Sequence, residues 1–157
     1  MIQLGDKIPS VSITQVTADG QHTLLADQLF ADKKVVLFAV PGAFTPTCSI
    51  SHLPGFVVLA DQILAKGVDM IACVSVNDAF VMQAWGEAQN ADAISMLADG
   101  GAAFTQALGL EMDTGDFGGI RSQRYAMVID KGIVTLLQVE APKSFDVSKA
   151  ENLLAAL

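Results

Sequence analysis

The sequence predicts an α/β fold with a mixed central sheet flanked by helices. Three observations carry that prediction. Apolar runs of strand length alternate with helical patterns through the first two thirds of the chain. A hairpin pattern leads the chain, and a second hairpin with an amphipathic helix closes it.

The elements follow in order. Val11 to Val16 and Gln21 to Leu25 flank Ala18-Asp19-Gly20, which predicts an N-terminal β-hairpin. Val35 to Val40 is apolar and rich in β-branched residues, as a buried strand requires. Pro41-Gly42 ends it, and Thr45-Pro46 reads as an N-cap followed by proline at the first helical position. That helix is expected to be disturbed at Pro54-Gly55 and to run from Phe56 to Lys66, with Gly67 as its stop. Val68 to Val76 predicts a second buried strand, and Asn77 and Asp78 cap a helix reaching about Trp85. Ala93 to Leu97 suits a short strand, and Ala102 to Leu108 a short helix closed by Gly109. Leu110 to Gln123 reads as a long glycine-bearing loop. Tyr125 to Ile129 and Ile133 to Glu140 flank Asp130-Lys131-Gly132 as a second hairpin, and Val147 to Leu157 forms the closing helix. With no repeat, linker or low-complexity tract, residues 1–157 are expected to form a single domain, for which a thioredoxin-like layout is one candidate.

Composition narrows the function. Apolar residues make up 52% and charged residues 17%, so a packed core is expected rather than disorder. Nine Lys and Arg stand against seventeen Asp and Glu, for a net charge of −8. No basic cluster interrupts that acidity, which argues against nucleic acid and anionic membranes as partners. The first residues carry neither a basic leader nor an apolar signal core, so a cytoplasmic location is expected. Neither phosphate-loop nor dinucleotide glycine patterns occur, and scattered Cys and His positions do not make a metal-ligand set. No cofactor is expected.

Cys48 is the residue that points to chemistry. It falls in the first turn of the helix begun at Thr45-Pro46, where unpaired backbone N–H groups favour a thiolate over a thiol. A helix terminus supplies only about 0.3–1 kcal/mol, so a nearby cation has to contribute as well. The chain has two arginines, Arg121 and Arg124, both just ahead of the Tyr125 run. Composition alone favours solvated loop charges for both, although an arginine entering a strand can be held beside a neighbouring strand's end. A C-x-x-C redox centre would put cysteine at position 45, where Thr45 stands, so dithiol exchange within that motif is excluded. One activated sulfur remains, with the Thr45 hydroxyl one turn away as a donor to it. Such a sulfur suits attack on peroxide, giving sulfenic acid.

Cys73 lies in the Met70 to Val76 run and reads first as a buried hydrophobe. Its functional alternative is a resolving cysteine that condenses with oxidised Cys48, which requires local unfolding. His52 is one turn beyond Cys48 and raises a cysteine-hydrolase alternative, but no Asn or Asp obviously orients it. A packing or surface role is preferred for it, and His22 reads as solvated. Trp85 is expected in the core or at an interface.

The segment Pro41-Gly42-Ala43-Phe44-Thr45-Pro46-Thr47-Cys48-Ser49, followed by His52-Leu53-Pro54-Gly55-Phe56, closely resembles the active-site segment of type II peroxiredoxins. These are the atypical, peroxiredoxin-5-like group of the AhpC/TSA thiol peroxidase superfamily. Ser75-Val76-Asn77-Asp78, Leu97-Ala98-Asp99-Gly100 and Arg124-Tyr125-Ala126-Met127-Val128 extend the resemblance over essentially the whole chain. The resemblance implies that Cys48 is the peroxidatic cysteine, that Thr45 and Arg124 are its catalytic partners, and that Pro41 shields the site. It implies hydrogen peroxide and small organic hydroperoxides as substrates, and a homodimer packed near the active-site end with Phe117 at its edge. Some members carry a resolving cysteine near the position of Val147, which this chain lacks, and Cys73 matches a second cysteine of plant-like members. A one-cysteine cycle reduced by glutathione and glutaredoxin is therefore expected. Thioredoxin reduction with Cys73 resolving, or a peroxide sensor without sustained turnover, are the alternatives.

Overall fold

The computed structural model describes residues 1–157. Strand β1 (Ser12–Thr17) turns back into β2 (Gly20–Leu25), and the short helix α1 (Ala26–Phe30) follows at once. Then come β3 (Lys34–Ala39), a π-helical turn (Cys48–His52) leading into α2 (Leu53–Leu64), β4 (Met70–Ser75), α3 (Ala79–Ala88) and β5 (Ser95–Ala98). Helix α4 (Ala103–Leu108), β6 (Glu111–Asp113), β7 (Ile120–Ser122), β8 (Tyr125–Asp130), β9 (Ile133–Val139) and α5 (Ala150–Ala156) complete the chain. Seven strands form one sheet in the order β2-β1-β5-β4-β3-β8-β9, while β6 and β7 pair separately. The β3–β4 and β4–β5 pairs are parallel and the others antiparallel, so the sheet is mixed as expected.

Alternation along β3 builds both halves of the core. Val36, Phe38 and Val40 face one layer with residues of α2, α3 and α5, and Val35, Leu37 and Ala39 face the other with residues of α1 and α4. Both faces of β3 are covered, which is why its sequence is a continuous apolar run.

Four local expectations change. The Leu110 to Gln123 segment is not wholly loop, because β6 and β7 form a hairpin inside it. Three-residue strands are too short to show a period. Helix α1 has no counterpart among the predicted elements. It follows β2 directly, has no side-chain cap, and is held by burial of Ala26, Leu29 and Phe30. The disturbance assigned to Pro54 lies one turn earlier, where Leu53 N–H reaches back five residues to the Cys48 carbonyl. Pro54 has no N–H, and its ring crowds the carbonyl four residues back, so the widened turn accommodates it. Helix α5 begins at Ala150 rather than Val147, because the Ser148 N–H and hydroxyl are both bound to Glu140.

Candidate active site

The loop from Pro41 to Thr45 leaves the C-terminal end of β3 and is pinned from outside. Ala43 N–H donates to Asn77 Oδ1 at 3.0 Å, and Ser75 Oγ lies 2.6 Å from the same oxygen. Thr45 Oγ1 donates to the Gly42 carbonyl at 2.6 Å, while the Thr45 carbonyl accepts from Ser49 N–H as the helix opens. The N-cap reading of Thr45 thus holds for the backbone. Its expected donation to sulfur does not, because the hydroxyl proton is committed to Gly42. Phe44 adopts a left-handed backbone (φ 63) that exposes its ring.

Cys48 is fully buried, and its sulfur accepts a hydrogen bond from Arg124 Nη2 at 3.1 Å. Strand register explains the meeting. Ala39 pairs with Tyr125 across β3 and β8, so Arg124 sits one residue beyond that pair, at the sheet end where Pro41 begins the loop. Arg124 is therefore not the solvated loop charge that composition favours. Nor is Arg121, which donates from Nε to the Gly118 carbonyl (3.0 Å) and from Nη1 to the Val76 carbonyl (3.3 Å). It straps the β6–β7 hairpin to the end of β4, and a side chain at Gly118 would collide with its guanidinium.

His52 is the residue that sequence reasoning set aside and the structure brings in. It is fully buried, with Nδ1 2.8 Å from Arg124 Nη1 and Nε2 3.1 Å from the Ser148 carbonyl. A guanidinium only donates and a carbonyl only accepts, so Nε2 carries the proton and Nδ1 the lone pair. Burial, and then the Arg124 charge, lower its pKa from 6.5 to about 3. Both ring nitrogens are occupied, so His52 is no base for Cys48, and the hydrolase alternative loses its dyad. The signal was the spacing of four residues from Cys48. Its missing orienting partner is a distant arginine, not the Asn or Asp a nearby search would seek.

Phe145 completes the wall. Its ring meets His52 edge-on at 5.1 Å, with the Arg124 guanidinium carbon 5.7 Å from the ring centre. A groove of about 620 Å³, lined by Pro41, Thr47, Met112, Arg124 and Phe145 among others, opens outside the guanidinium. On the helix side, Trp85 is fully buried and donates from Nε1 to Ser49 Oγ at 2.9 Å.

Cys73 is fully buried in β4, between β3 and β5, with Phe38 as its cross-strand partner. Burial and the neighbouring Cys48 push its thiol well above the ordinary range, against a smaller opposing effect of Arg124. No disulfide is present. His22 is exposed in β2. No helix is long and apolar enough to cross a membrane.

A lone cysteine sulfur under a guanidinium, at the start of a helix that follows the first strand of a β-α-β core, belongs to thiol redox chemistry on a thioredoxin-like fold. Comparison with known proteins narrows this class. The redoxin family profile matches residues 3–154. The chain is 51% identical to peroxiredoxin-2E-2, chloroplastic, of Oryza sativa over 99% of its length and 72% of that protein's. It is 47% identical to peroxiredoxin-2D of Arabidopsis thaliana over 99% and 98% of the two chains. A crystal structure of reduced Prx3 in complex with H2O2 from Vibrio vulnificus superposes with a TM-score of 0.97 at 68% identity, covering 99% of each chain. The chain belongs to the redoxin family and is a type II, peroxiredoxin-5-like peroxiredoxin, a thiol-dependent peroxidase.

Proposed function

We propose that this peroxiredoxin reduces hydrogen peroxide and small organic hydroperoxides at Cys48, in a one-cysteine cycle closed by glutathione and glutaredoxin. The single observation that carries the reading is the 3.1 Å contact between Arg124 Nη2 and Cys48 Sγ. A guanidinium donating to sulfur stabilises the anionic nucleophile and is in place for charge that develops on the peroxide oxygens. The thiolate attacks one peroxide oxygen and the O–O bond breaks. Sulfur, now bonded to that oxygen, becomes sulfenic acid, and the other oxygen leaves with a proton as water or alcohol. Thr45 contributes the lone pairs of a hydroxyl whose proton points to Gly42, so it accepts from the peroxide O–H. Pro41, on the groove wall, keeps water from the sulfur. The H2O2 complex of the Vibrio vulnificus relative supports the substrate assignment.

One glutathione thiol then displaces water from the sulfenic acid, and glutaredoxin takes the glutathionyl group and releases Cys48. The deep burial of Cys73, paired on both sides within the sheet, favours this cycle over one in which it resolves. The second reading, thioredoxin reduction through Cys73, is favoured by the two sulfurs sharing one core layer. A homodimer fits the exposed rings of Phe44, Phe80 and Phe117; the Ala43–Asn77 and Arg121–Val76 bonds tie the segments that carry Phe44 and Phe117 to residues 76–77, just ahead of Phe80 in the chain. A cytoplasmic location is kept as the working assignment, although the rice relative is chloroplastic.

The deciding measurement is peroxide-dependent oxidation of glutathione, with and without glutaredoxin or thioredoxin, on wild type, Cys48→Ser and Cys73→Ser. Loss of turnover in Cys73→Ser while Cys48 still oxidises would transfer the assignment to the second reading. A wild type that stops after one equivalent of peroxide with every reductant would mark a sensor.

A further inference from the structure

Glu140 is a charged side chain that the peroxide chemistry above does not use. It follows β9 directly, is 7% exposed, and has no cationic partner, since the one salt bridge in the molecule joins Lys33 to Asp32. A carboxylate out of water costs free energy unless its lone pairs are filled. Here they are filled by one short segment. Oε2 accepts from Asp146 N–H (2.7 Å), Ser148 N–H (2.9 Å) and Ser148 Oγ (2.7 Å), and Oε1 from Ser144 Oγ (3.1 Å). Burial alone would raise its pKa, but these donors prevail and lower it from 4.5 to about 2. The Glu140 backbone N–H also donates to the Arg124 carbonyl at 3.0 Å, so the two residues are tied at the sheet end.

The segment wound around Glu140 presents the Ser148 carbonyl to His52 Nε2. That contact matters for the arginine. With the Nε2 proton held by Ser148, Nδ1 offers a lone pair to Arg124 Nη1. Were the carbonyl displaced, a proton on Nδ1 would face another donor and push the guanidinium off its line to Cys48. Resting on the peroxidase reading, we infer that Glu140 is a positioning residue for Cys48 oxidation. It holds the Ser144–Ser148 turn so that the Ser148 carbonyl sets the His52 tautomer, and His52 aims Arg124 at the sulfur.

A double-mutant cycle on the full chain tests this, reading Cys48 oxidation by hydrogen peroxide and Cys48 alkylation by iodoacetamide. Glu140→Ala slows both about tenfold, since misplacing a reacting group by ~1 Å costs up to about a hundredfold. Glu140→Gln, which keeps one acceptor oxygen, recovers part of the loss. His52→Phe slows both reactions by a similar factor, and adding Glu140→Ala to it costs less than about twofold more, because both act through one guanidinium. Factors that multiply in the double variant overturn the inference. So does a Glu140→Ala or Glu140→Gln protein that melts earlier yet keeps wild-type rates in both reactions. If Glu140→Ala does not fold, the same cycle with Glu140→Gln decides. A wild type that alkylates but does not consume peroxide sinks the peroxidase reading instead, and the alkylation arm still decides the role of Glu140.

Discussion

The two cysteines share a core layer and are equally buried, yet their surroundings differ completely. Cys48 opens a helix and meets a guanidinium, whereas Cys73 sits mid-strand with only apolar neighbours across the ladder. Burial therefore does not distinguish the two thiols. A donor aimed at sulfur does. The same contrast recurs between the two arginines. Three residues apart, one faces the sulfur and the other ties a hairpin to the end of a strand.

The comparison breaks most sharply if the cysteines are exchanged in importance. Cys48→Ser removes steady-state peroxide consumption with any thiol reductant, while Cys73→Ser keeps it within about twofold, because a fully buried mid-strand thiol needs local unfolding to meet an oxidised Cys48. Arg124→Ala comes next. Deleting a charged donor at the reacting centre lowers the rate of Cys48 oxidation by about 10²–10³-fold, measured by stopped-flow with hydrogen peroxide.

The acid stability of the site sharpens the contrast further. His52 is neutral in the folded chain, its pKa lowered from 6.5 to about 3. Between those values the unfolded chain takes up a proton that the folded chain refuses. Stability therefore falls as pH falls through that window, by up to about 1.4 kcal/mol per pH unit. Glu140 adds a lower step, since a carboxylate moved from 4.5 to about 2 stabilises the fold above the first value and is lost toward the second. Urea midpoints at pH 6.5, 5.5 and 4.5 should decline in wild type and stay nearly level in His52→Phe, leaving only the lower step. Arg121→Ala has the smallest effect. Freeing two carbonyls costs about 1 kcal/mol in thermal unfolding and leaves the Cys48 oxidation rate within about threefold. A drop matching that of Arg124→Ala would erase the distinction between the arginines.

Much of this was legible from residue order. Strand β3, its stop at Pro41-Gly42 and the helix opening at Thr45-Pro46 follow from local patterns, and they place Cys48 in a first turn whatever the rest of the chain does. The terminal hairpins and Asp78 as the cap of α3 follow in the same way, the latter accepting from Val81 N–H at 2.9 Å. The β6–β7 hairpin and α1 escaped because short elements held by distant contacts leave no period to read.

Residue order thus determined which sulfur stands at the mouth of a helix, because capping and strand termination act within a few neighbours. Only the folded sheet decided what surrounds it. Arg124 lies 76 positions from Cys48 in the chain, and the Ser148 carbonyl 96 from His52. Strand register and a buried carboxylate bring them together, and neither leaves a local trace. A neutral histidine between a donor and an acceptor looks in sequence like any residue one turn along a helix.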